Sequence, residues 1–322
     1  MAQTELGKAF EYACLKALYD FYSGSQDVKI VENEPLKTAQ RNYENAGDKQ
    51  KDLLAGAQAA VRVLNRLEPR LTYPNKSVPL FLSLQTDAKG QAGDVRDVLC
   101  VRYGNDWEIG LSCKHNHAAV KHSRLSNSID FGLKWFNVPC SQTYFDEIRP
   151  VFDELSDLRA KGRALNKEIK FEDFDDVNER FYLPVLNAFI KELRRIDSEN
   201  EGIPAKLIHY LMGEYDFYKI ITNDEHKLTK VEAININGTL SRSSEGHKSI
   251  TPMPVIKLPT EFFTIRMKKG SQTTVEVVCD NSWTITMRIH SAKKTVEPSL
   301  KFDVNLTGSP GGFYVEMEPW YK

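Results

Sequence analysis

Two short apolar segments of this chain have the composition of paired β-strands, with charged residues at their outer ends. Val98 to Tyr103 is rich in β-branched and apolar residues, and Trp107 to Cys113 alternates in polarity. Gly104 to Asp106 supplies either of two two-residue turns, Gly-Asn or Asn-Asp, whose residues tolerate positive φ. The pattern predicts a β-hairpin that Asp97 enters and Lys114 leaves.

Both possible turns place Asp97 and Lys114 on one face of the hairpin. The Asn-Asp turn puts Asp97 opposite Lys114, and the Gly-Asn turn puts it opposite Ser112, diagonal to Lys114. Because side chains alternate with period two, Asp94 has the opposite parity. A three-residue turn would reverse these assignments. We therefore predict Asp97 as a metal ligand and keep Asp94 as the reserve.

A carboxylate beside a lysine is the arrangement that a metal-dependent nuclease needs. The carboxylate binds a divalent cation, and the ammonium group orients the attacking water and offsets the developing charge. An aspartate before a strand and a lysine after one are also common as ordinary solvated strand ends. The hairpin alone does not decide between these two interpretations.

Basic residues are concentrated in two stretches of a nearly neutral chain. The formal net charge is −1, which by itself does not indicate a nucleic-acid partner. Ile109 to Ile129 and Asn281 to Val296 contain no acidic residue. Such stretches concentrate positive potential where phosphate could bind, or they are simply two solvated basic surfaces. The predicted DNA-contacting residues are His115, Asn116, His117, Lys121, His122, Arg124, Arg288, His290 and Lys301.

The cysteines and the hydropathy pattern favour a soluble, cytoplasmic protein. The five cysteines show no CxxC spacing and are expected to be reduced, mostly buried thiols. No segment has the length of a membrane span, and no basic-then-apolar leader is present. One cluster of cysteines and histidines could instead bind zinc: Cys113, His115, His117, His122 and Cys140. No second pair of ligands accompanies His115 and His117, so we favour phosphate or base contacts for these histidines.

The periodicity of the chain predicts an α/β fold. Predicted helices cover Thr4–Phe21, Asp48–Leu67, Ala118–Leu125, Ser141–Arg163 and Pro204–Ile221. Predicted strands beyond the hairpin cover Lys227–Leu240, Phe262–Met267, Thr273–Cys279, Trp283–Ile289 and Ser299–Leu306.

We expect a mixed central β-sheet flanked by helices, with a β-rich C-terminal region. Residues 1–322 are predicted to form a single domain. Within it, residues 1–150 are the expected catalytic core, and residues 235–322 are expected to contribute to DNA recognition.

Several of these segments resemble a known enzyme family. Gly93 to Val98 and Lys114 to Ser126 are similar to type II restriction endonucleases of the HaeIII-type family, within the PD-(D/E)xK nuclease superfamily. The similarity extends to Gly7–Glu11, His209–Lys219, Met287–Ala292 and Val296–Val304. It covers nearly the whole chain.

The resemblance implies a restriction-endonuclease-like core and Mg²⁺-dependent double-strand cleavage of DNA at the palindrome GGCC. It also implies a partner methyltransferase that protects host DNA. Asp97 would bind the metal, Lys114 would be the catalytic lysine, and Glu11 would be a further ligand. A palindromic target suits a homodimer, although a monomer that cuts one strand at a time remains open. The competing functions are a non-catalytic DNA-binding regulator and a structure-specific repair nuclease.

Ser112 departs from the superfamily pattern, which has Asp or Glu two residues before the lysine. A hydroxyl is a poor Mg²⁺ ligand, so a replacement carboxylate must come from elsewhere in the chain. Glu11 on the first helix is our choice, with Asp94 or Asp87 as alternatives.

Overall fold

The computed structural model describes residues 2–73, 78–86, 94–105, 107–116, 121–308 and 310–321. Its helices are α1 (Gln3–Tyr22), α2 (Glu34–Glu44), α3 (Lys49–Leu67), α4 (Pro69–Thr72), α5 (Phe131–Phe136), α6 (Gln142–Ala164), α7 (Leu183–Glu199) and α8 (Ile203–Met212). Its strands are β1 (Val28–Ile30), β2 (Leu80–Leu84), β3 (Val98–Arg102), β4 (Trp107–His115), β5 (Lys121–Leu125), β6 (Phe217–Asn223), β7 (Leu228–Ile234), β8 (Phe262–Met267), β9 (Thr274–Cys279), β10 (Thr284–His290), β11 (Leu300–Leu306) and β12 (Tyr314–Pro319).

The chain divides into two compact units. The first comprises Met1–Ala118, Gly213–Lys257 and Gly312–Lys322. It contains a seven-stranded sheet in the order β1-β2-β3-β4-β6-β7-β12, in which β1–β2 and β4–β6 are parallel pairs and the other pairs are antiparallel. The expected mixed α/β architecture is therefore confirmed.

Helices α1, α2 and α3 bury their apolar side chains against one face of this sheet. Phe10 and Leu64 share a core with Ile109, Tyr218 and Val231 from the central strands. Because strand side chains alternate, the neighbouring positions of β4 and β6 point to the opposite face. Ser112 and Lys219 occupy two of these positions.

The second unit comprises Ala119–Met212 and Leu258–Gly311. Its sheet is five-stranded and antiparallel, in the order β5-β11-β10-β9-β8, and α7 packs against β8 and β9. The predicted β-rich C-terminal region is present. Its strands are divided between the two sheets, because β7 and β12 belong to the first sheet and β8 to β11 to the second.

Where the structure describes them, one predicted helix is wrong and a second is right only in its first half. Residues Lys121–Leu125 form strand β5, paired with β11, instead of ending a short helix. The helix predicted over Pro204–Ile221 ends at Met212, where Gly213 adopts a positive φ of 79°, and β6 follows. Strand β6 is buried almost continuously, and a continuous apolar run has no period that separates a strand from a helix.

The state of the cysteines and the hydropathy of the helices were both predicted from the sequence. Cys14, Cys100, Cys113, Cys140 and Cys279 are free thiols, and four of the five are buried. Among the described helices, none is both long enough and apolar enough to cross a membrane.

Candidate active site

Strands β3 and β4 form the predicted hairpin. Val98 lies opposite Leu111, and Arg102 lies opposite Trp107. Four residues separate the strands, instead of the two that we predicted, and Tyr103–Asn105 form a short 3₁₀ helix. An even number of intervening residues preserves the predicted parity. The observed register, with Val98 opposite Leu111, is the one that the Gly-Asn turn predicts, and Asp97 lies immediately before its first pair.

Asp97 is attached to β4 through both its backbone and its side chain. Its N–H donates to the carbonyl of Leu111 at 2.7 Å, and its carboxylate Oδ2 accepts from the N–H of Cys113 at 2.7 Å. The same oxygen lies 3.6 Å from Nζ of Lys114. The predicted proximity of the carboxylate and the lysine is therefore present.

Helix α1 brings Glu11 to the same place. The helix contacts β4, and Glu11 is 8% exposed, with its Oε2 3.2 Å from Nζ of Lys8. Burial, together with the negative charge of Asp97, raises the pKa of Glu11 to about 8, although the positive charges of Lys8 and Lys114 act in the opposite direction. Glu11, Asp97 and Lys114 thus form one electrostatic cluster.

The chemistry of this cluster fits a divalent cation. Mg²⁺ in enzymes is commonly held by one or two carboxylates together with waters and substrate phosphates. Two carboxylates that repel each other would gain from a cation between them. In the described ranges, no group of three or more His, Cys, Asp or Glu side chains is arranged as a metal site. Asp97 and Glu11 are the two carboxylates of this cluster that would hold such a cation.

Asp94, the reserve ligand, takes part in a separate network. Its Oδ1 accepts from Nε of Arg96 at 2.8 Å, and its Oδ2 accepts from Nη2 of Arg96 at 2.8 Å and from the amide of Gln85 at 2.6 Å. Burial raises the pKa of Asp94, but these hydrogen bonds outweigh burial and lower it. Occupation of both oxygens favours Asp97 over Asp94 as the metal ligand. The other alternative, Asp87, lies outside the described residues.

A row of polar residues crosses the sheet at Ser112. Ser112 is paired in register with Lys219 of β6, and Lys219 is paired with Glu232 of β7. Burial lowers the pKa of Lys219 to about 8; Glu232, whose Oε2 lies 3.8 Å from the ammonium group, raises it, and Lys114 lowers it further. No sequence motif marks this row, because it depends on long-range parallel pairing of β4 with β6.

His115 and Asn116 hold the end of β4 to the turn between β6 and β7. His115 is 3% exposed, and its Nε2 lies 3.0 Å from a carboxylate oxygen of Asp224. The amide of Asn116 donates to Asp224 at 2.9 Å, and the N–H of Asp224 donates to Oδ1 of Asn116 at 3.0 Å. This anchoring role was not predicted, and DNA contact by these two residues stays a prediction. His117 and the side chains of Lys121 and His122 lie outside what the structure describes.

In the second unit, the two basic stretches of the sequence meet on one face of the sheet. Arg124 is paired with Lys301, and Lys301 is paired with His290, across β5, β11 and β10. Arg288 lies opposite Asp303 on the same face. Residues paired in register project to the same side, so these four basic side chains form a continuous surface. We call Arg124, Arg288, His290 and Lys301 the basic face.

Carboxylates hold the side chains of the basic face without cancelling its charge. Asp303 lies 3.6 Å from Arg288, 2.8 Å from His290 and 3.5 Å from Lys301. Arg124 lies 3.4 Å from Glu297 and donates to the hydroxyl of Ser299 at 2.7 Å. The guanidinium-bearing side chain of Arg288 is 59% exposed. The geometry is that of a surface able to bind anions.

Comparison with known proteins gives a family match over nearly the whole chain. The family model described as HaeIII restriction endonuclease matches residues 7–310. The type II restriction enzyme HaeIII of Haemophilus aegyptius is 38% identical over 316 residues, covering 98% of this chain and 97% of that protein. No solved structure matched the chain. The chain belongs to the HaeIII restriction endonuclease family.

Proposed function

We propose that this chain is a type II restriction endonuclease that makes Mg²⁺-dependent double-strand breaks in DNA at a short palindrome, GGCC. The observation that carries the proposal is the pair formed by Asp97 and Lys114, 3.6 Å apart with Glu11 beside it, in a chain 38% identical to a type II restriction enzyme. The GGCC target rests on the family resemblance alone.

Each residue of the cluster has a distinct proposed role. Asp97 and Glu11 would hold Mg²⁺, which when bound supplies Lewis-acid activation of the scissile phosphate and of water. The ammonium group of Lys114 donates to the attacking water and to phosphate oxygen, and it stabilises the charge that develops during attack. Asp97 Oδ2 keeps that ammonium group in place.

The outcome of such a reaction follows from its geometry. Water held beside Lys114 attacks phosphorus in line with the leaving 3′ oxygen, because a positioned nucleophile reacts far faster than a free one. No side chain of the cluster needs to form a covalent bond to DNA. The products are a 5′-phosphate and a 3′-hydroxyl.

The basic face is our proposed site for DNA phosphates in the second unit. Phosphate contacts fix the position of DNA, and they need cationic side chains that are exposed, as Arg288 is. A palindromic target further suits a homodimer, since both follow twofold symmetry. We also propose a methyltransferase that protects the same sequence in the host and a place in the cytoplasm, both from the family resemblance.

Digestion of plasmid DNA of known sequence, with Mg²⁺ and with EDTA, tests the proposal. We expect cleavage only with Mg²⁺, at one palindrome on both strands, with end sequencing giving 5′-phosphates and 3′-hydroxyls. Binding to GGCC DNA without cleavage would support a DNA-binding regulator. Cleavage at junctions or mismatches, independent of sequence, would support a repair nuclease.

A further inference from the structure

We infer that Arg96 is a positioning residue that holds Asp97 in the orientation needed to bind a divalent cation; this inference rests on the proposed function. Arg96 immediately precedes Asp97 and is only 5% exposed. The segment from Asp94 to Asp97 lies before β3 and has no regular secondary structure. The backbone of Asp97 is hydrogen-bonded to Leu111 and Gln85, and the side-chain contacts of Arg96 hold the residue that precedes it.

The guanidinium group of Arg96 is held at three of its nitrogen atoms. Its Nε and Nη2 both donate to the carboxylate of Asp94 at 2.8 Å, and its Nη1 donates to Glu108 of β4 at 2.7 Å. Paired N–H···O bonds to one carboxylate fix the plane of a guanidinium group as well as its position. The Arg96 side chain therefore ties the segment before β3 to the outer part of β4.

The remainder of the Arg96 side chain is held by packing. A Cβ atom at Gly110 would lie 2.1 Å from Cδ of Arg96, so the side chain lies directly on the backbone of β4. The guanidinium carbon lies 3.9 Å from the centre of the Tyr215 ring, a stacking geometry that arginine favours. Gly110 is thus required for space, because any larger residue would displace Arg96.

Arg96 and Asp97, which are neighbours in the chain, are both attached to strand β4. Arg96 is attached at Glu108 and Gly110, and Asp97 at Leu111 and Cys113. Buried ion pairs contribute little net stability compared with well-packed apolar residues. A buried arginine with full pairing, next to the proposed metal ligand, is therefore better explained by positioning than by stability.

The test measures cation binding by the full chain, using Mn²⁺ as the probe and electron paramagnetic resonance to count free Mn²⁺. We expect Arg96→Met to weaken Mn²⁺ affinity by about 10- to 100-fold, the usual cost of losing a residue that orients a metal ligand. The Mg²⁺ concentration for half-maximal cleavage should rise by the same factor. Cleavage at saturating Mg²⁺ and DNA affinity should change much less.

Two further variants separate positioning from loss of folding. Gly110→Ala displaces Arg96 without removing a charge and should weaken Mn²⁺ affinity in the same direction. Arg266→Met removes the exposed Arg266–Glu276 pair of the second unit and should leave Mn²⁺ affinity unchanged. Circular dichroism checks that each variant is folded.

Different results would contradict the inference and the proposed function. If the wild type binds Mn²⁺ and the folded Arg96→Met and Gly110→Ala variants bind it equally well, the positioning role is wrong and the proposed function stands. If Asp94→Asn loses Mn²⁺ while Arg96→Met retains it, Asp94 is itself a ligand and the positioning role is again wrong. If the wild type neither binds Mn²⁺ nor cleaves DNA with Mg²⁺, the proposed function is wrong, and the positioning role that rests on it is wrong as well.

Discussion

Ser112 offers only a hydroxyl two residues before Lys114, and the charged residues near it come from other parts of the chain. Glu11 comes from α1 and lies in the electrostatic field of Asp97 and Lys114. Lys219 and Glu232 come from β6 and β7 and continue the row that begins at Ser112. In the proposed site, the second carboxylate therefore comes from helix α1 and not from β4.

Glu11→Gln tests whether Glu11 is the second carboxylate of the proposed metal site. The substitution keeps the size of the side chain but removes the second carboxylate, so we expect the Mg²⁺ concentration for half-maximal cleavage to rise by at least about tenfold. Glu5→Gln, at an exposed position on the same helix, is the matched control and should leave it unchanged. Equal Mg²⁺ requirements for all three proteins would exclude Glu11 as a ligand.

Local sequence is sufficient to predict some of these residues and insufficient for others. Asp97 immediately precedes β3 and Lys114 lies in β4, so the pairing of these two strands is enough to predict that they lie close together. Glu11 could be suggested because it lies on a partly inward flank of α1. Arg96 and Lys219 could not be predicted, since their partners are set by packing against Tyr215 and by parallel strand pairing.

At the scale of elements, strong periodicity predicts structure well and weak periodicity does not. Helices α1, α3 and α6 begin and end within about two residues of their predicted bounds. Helix α2 was not predicted, although Asn33 caps it with its side chain and Pro35 stands in its first turn. Strands β1 and β12 were also not predicted, because short strands become recognisable only beside the strands they pair with.

Two helical glycines give opposite predictions for stability. A Cβ atom at Gly56 of α3 would lie 2.6 Å from Cγ2 of Thr222 and 3.2 Å from the Trp320 ring, so Gly56→Ala should destabilise by about 1–3 kcal/mol. Gly7 of α1 has open space around it, so Gly7→Ala should stabilise by about 0.5–1 kcal/mol. Urea unfolding measures both. Equal effects of the two substitutions would contradict the packing of α3 on the sheet.

At the scale of the whole molecule, folding joins distant parts of the sequence. Strand β5 brings Arg124 beside Lys301 of β11, and β10 adds Arg288 and His290. The two acid-free stretches are thereby combined into the basic face, which charge counting alone could not establish. The near-neutral total charge conceals this local concentration.

Buried Glu68 makes the stability of the molecule depend on pH. The residue is fully buried, its Oε1 accepts from Tyr218 and from the N–H of Ser241 at 2.7 Å each, and its Oε2 has no hydrogen-bond partner among the described residues. Burial raises the pKa of Glu68 from 4.5 to about 7. The pKa of Glu68 is higher in the folded protein than in the unfolded chain, so the protonated carboxyl contributes to the free energy of unfolding. That contribution is fully present below about pH 4.5 and is lost as pH rises through about pH 7.

Glu68→Gln should remove this dependence. Between about pH 5 and about pH 8, we expect the free energy of unfolding of the wild type to fall by about 2.5 kcal/mol more than that of the variant, since each unit of pKa corresponds to about 1.4 kcal/mol. Urea unfolding at both pH values measures the difference. If the free energy of unfolding of the variant falls as steeply with pH as that of the wild type, ionisation of Glu68 does not destabilise the folded protein.

The central claim is that the pair formed by Asp97 and Lys114 performs Mg²⁺-dependent cleavage. The most direct measurement extends the plasmid digestion to Lys114→Ala, with DNA affinity measured on the same protein and with Lys29→Ala, an exposed lysine of β1, as the control. We expect Lys114→Ala to lose cleavage by at least about 100-fold while its DNA affinity stays within a few-fold of the wild type's. Undiminished cleavage by folded Lys114→Ala would contradict the account.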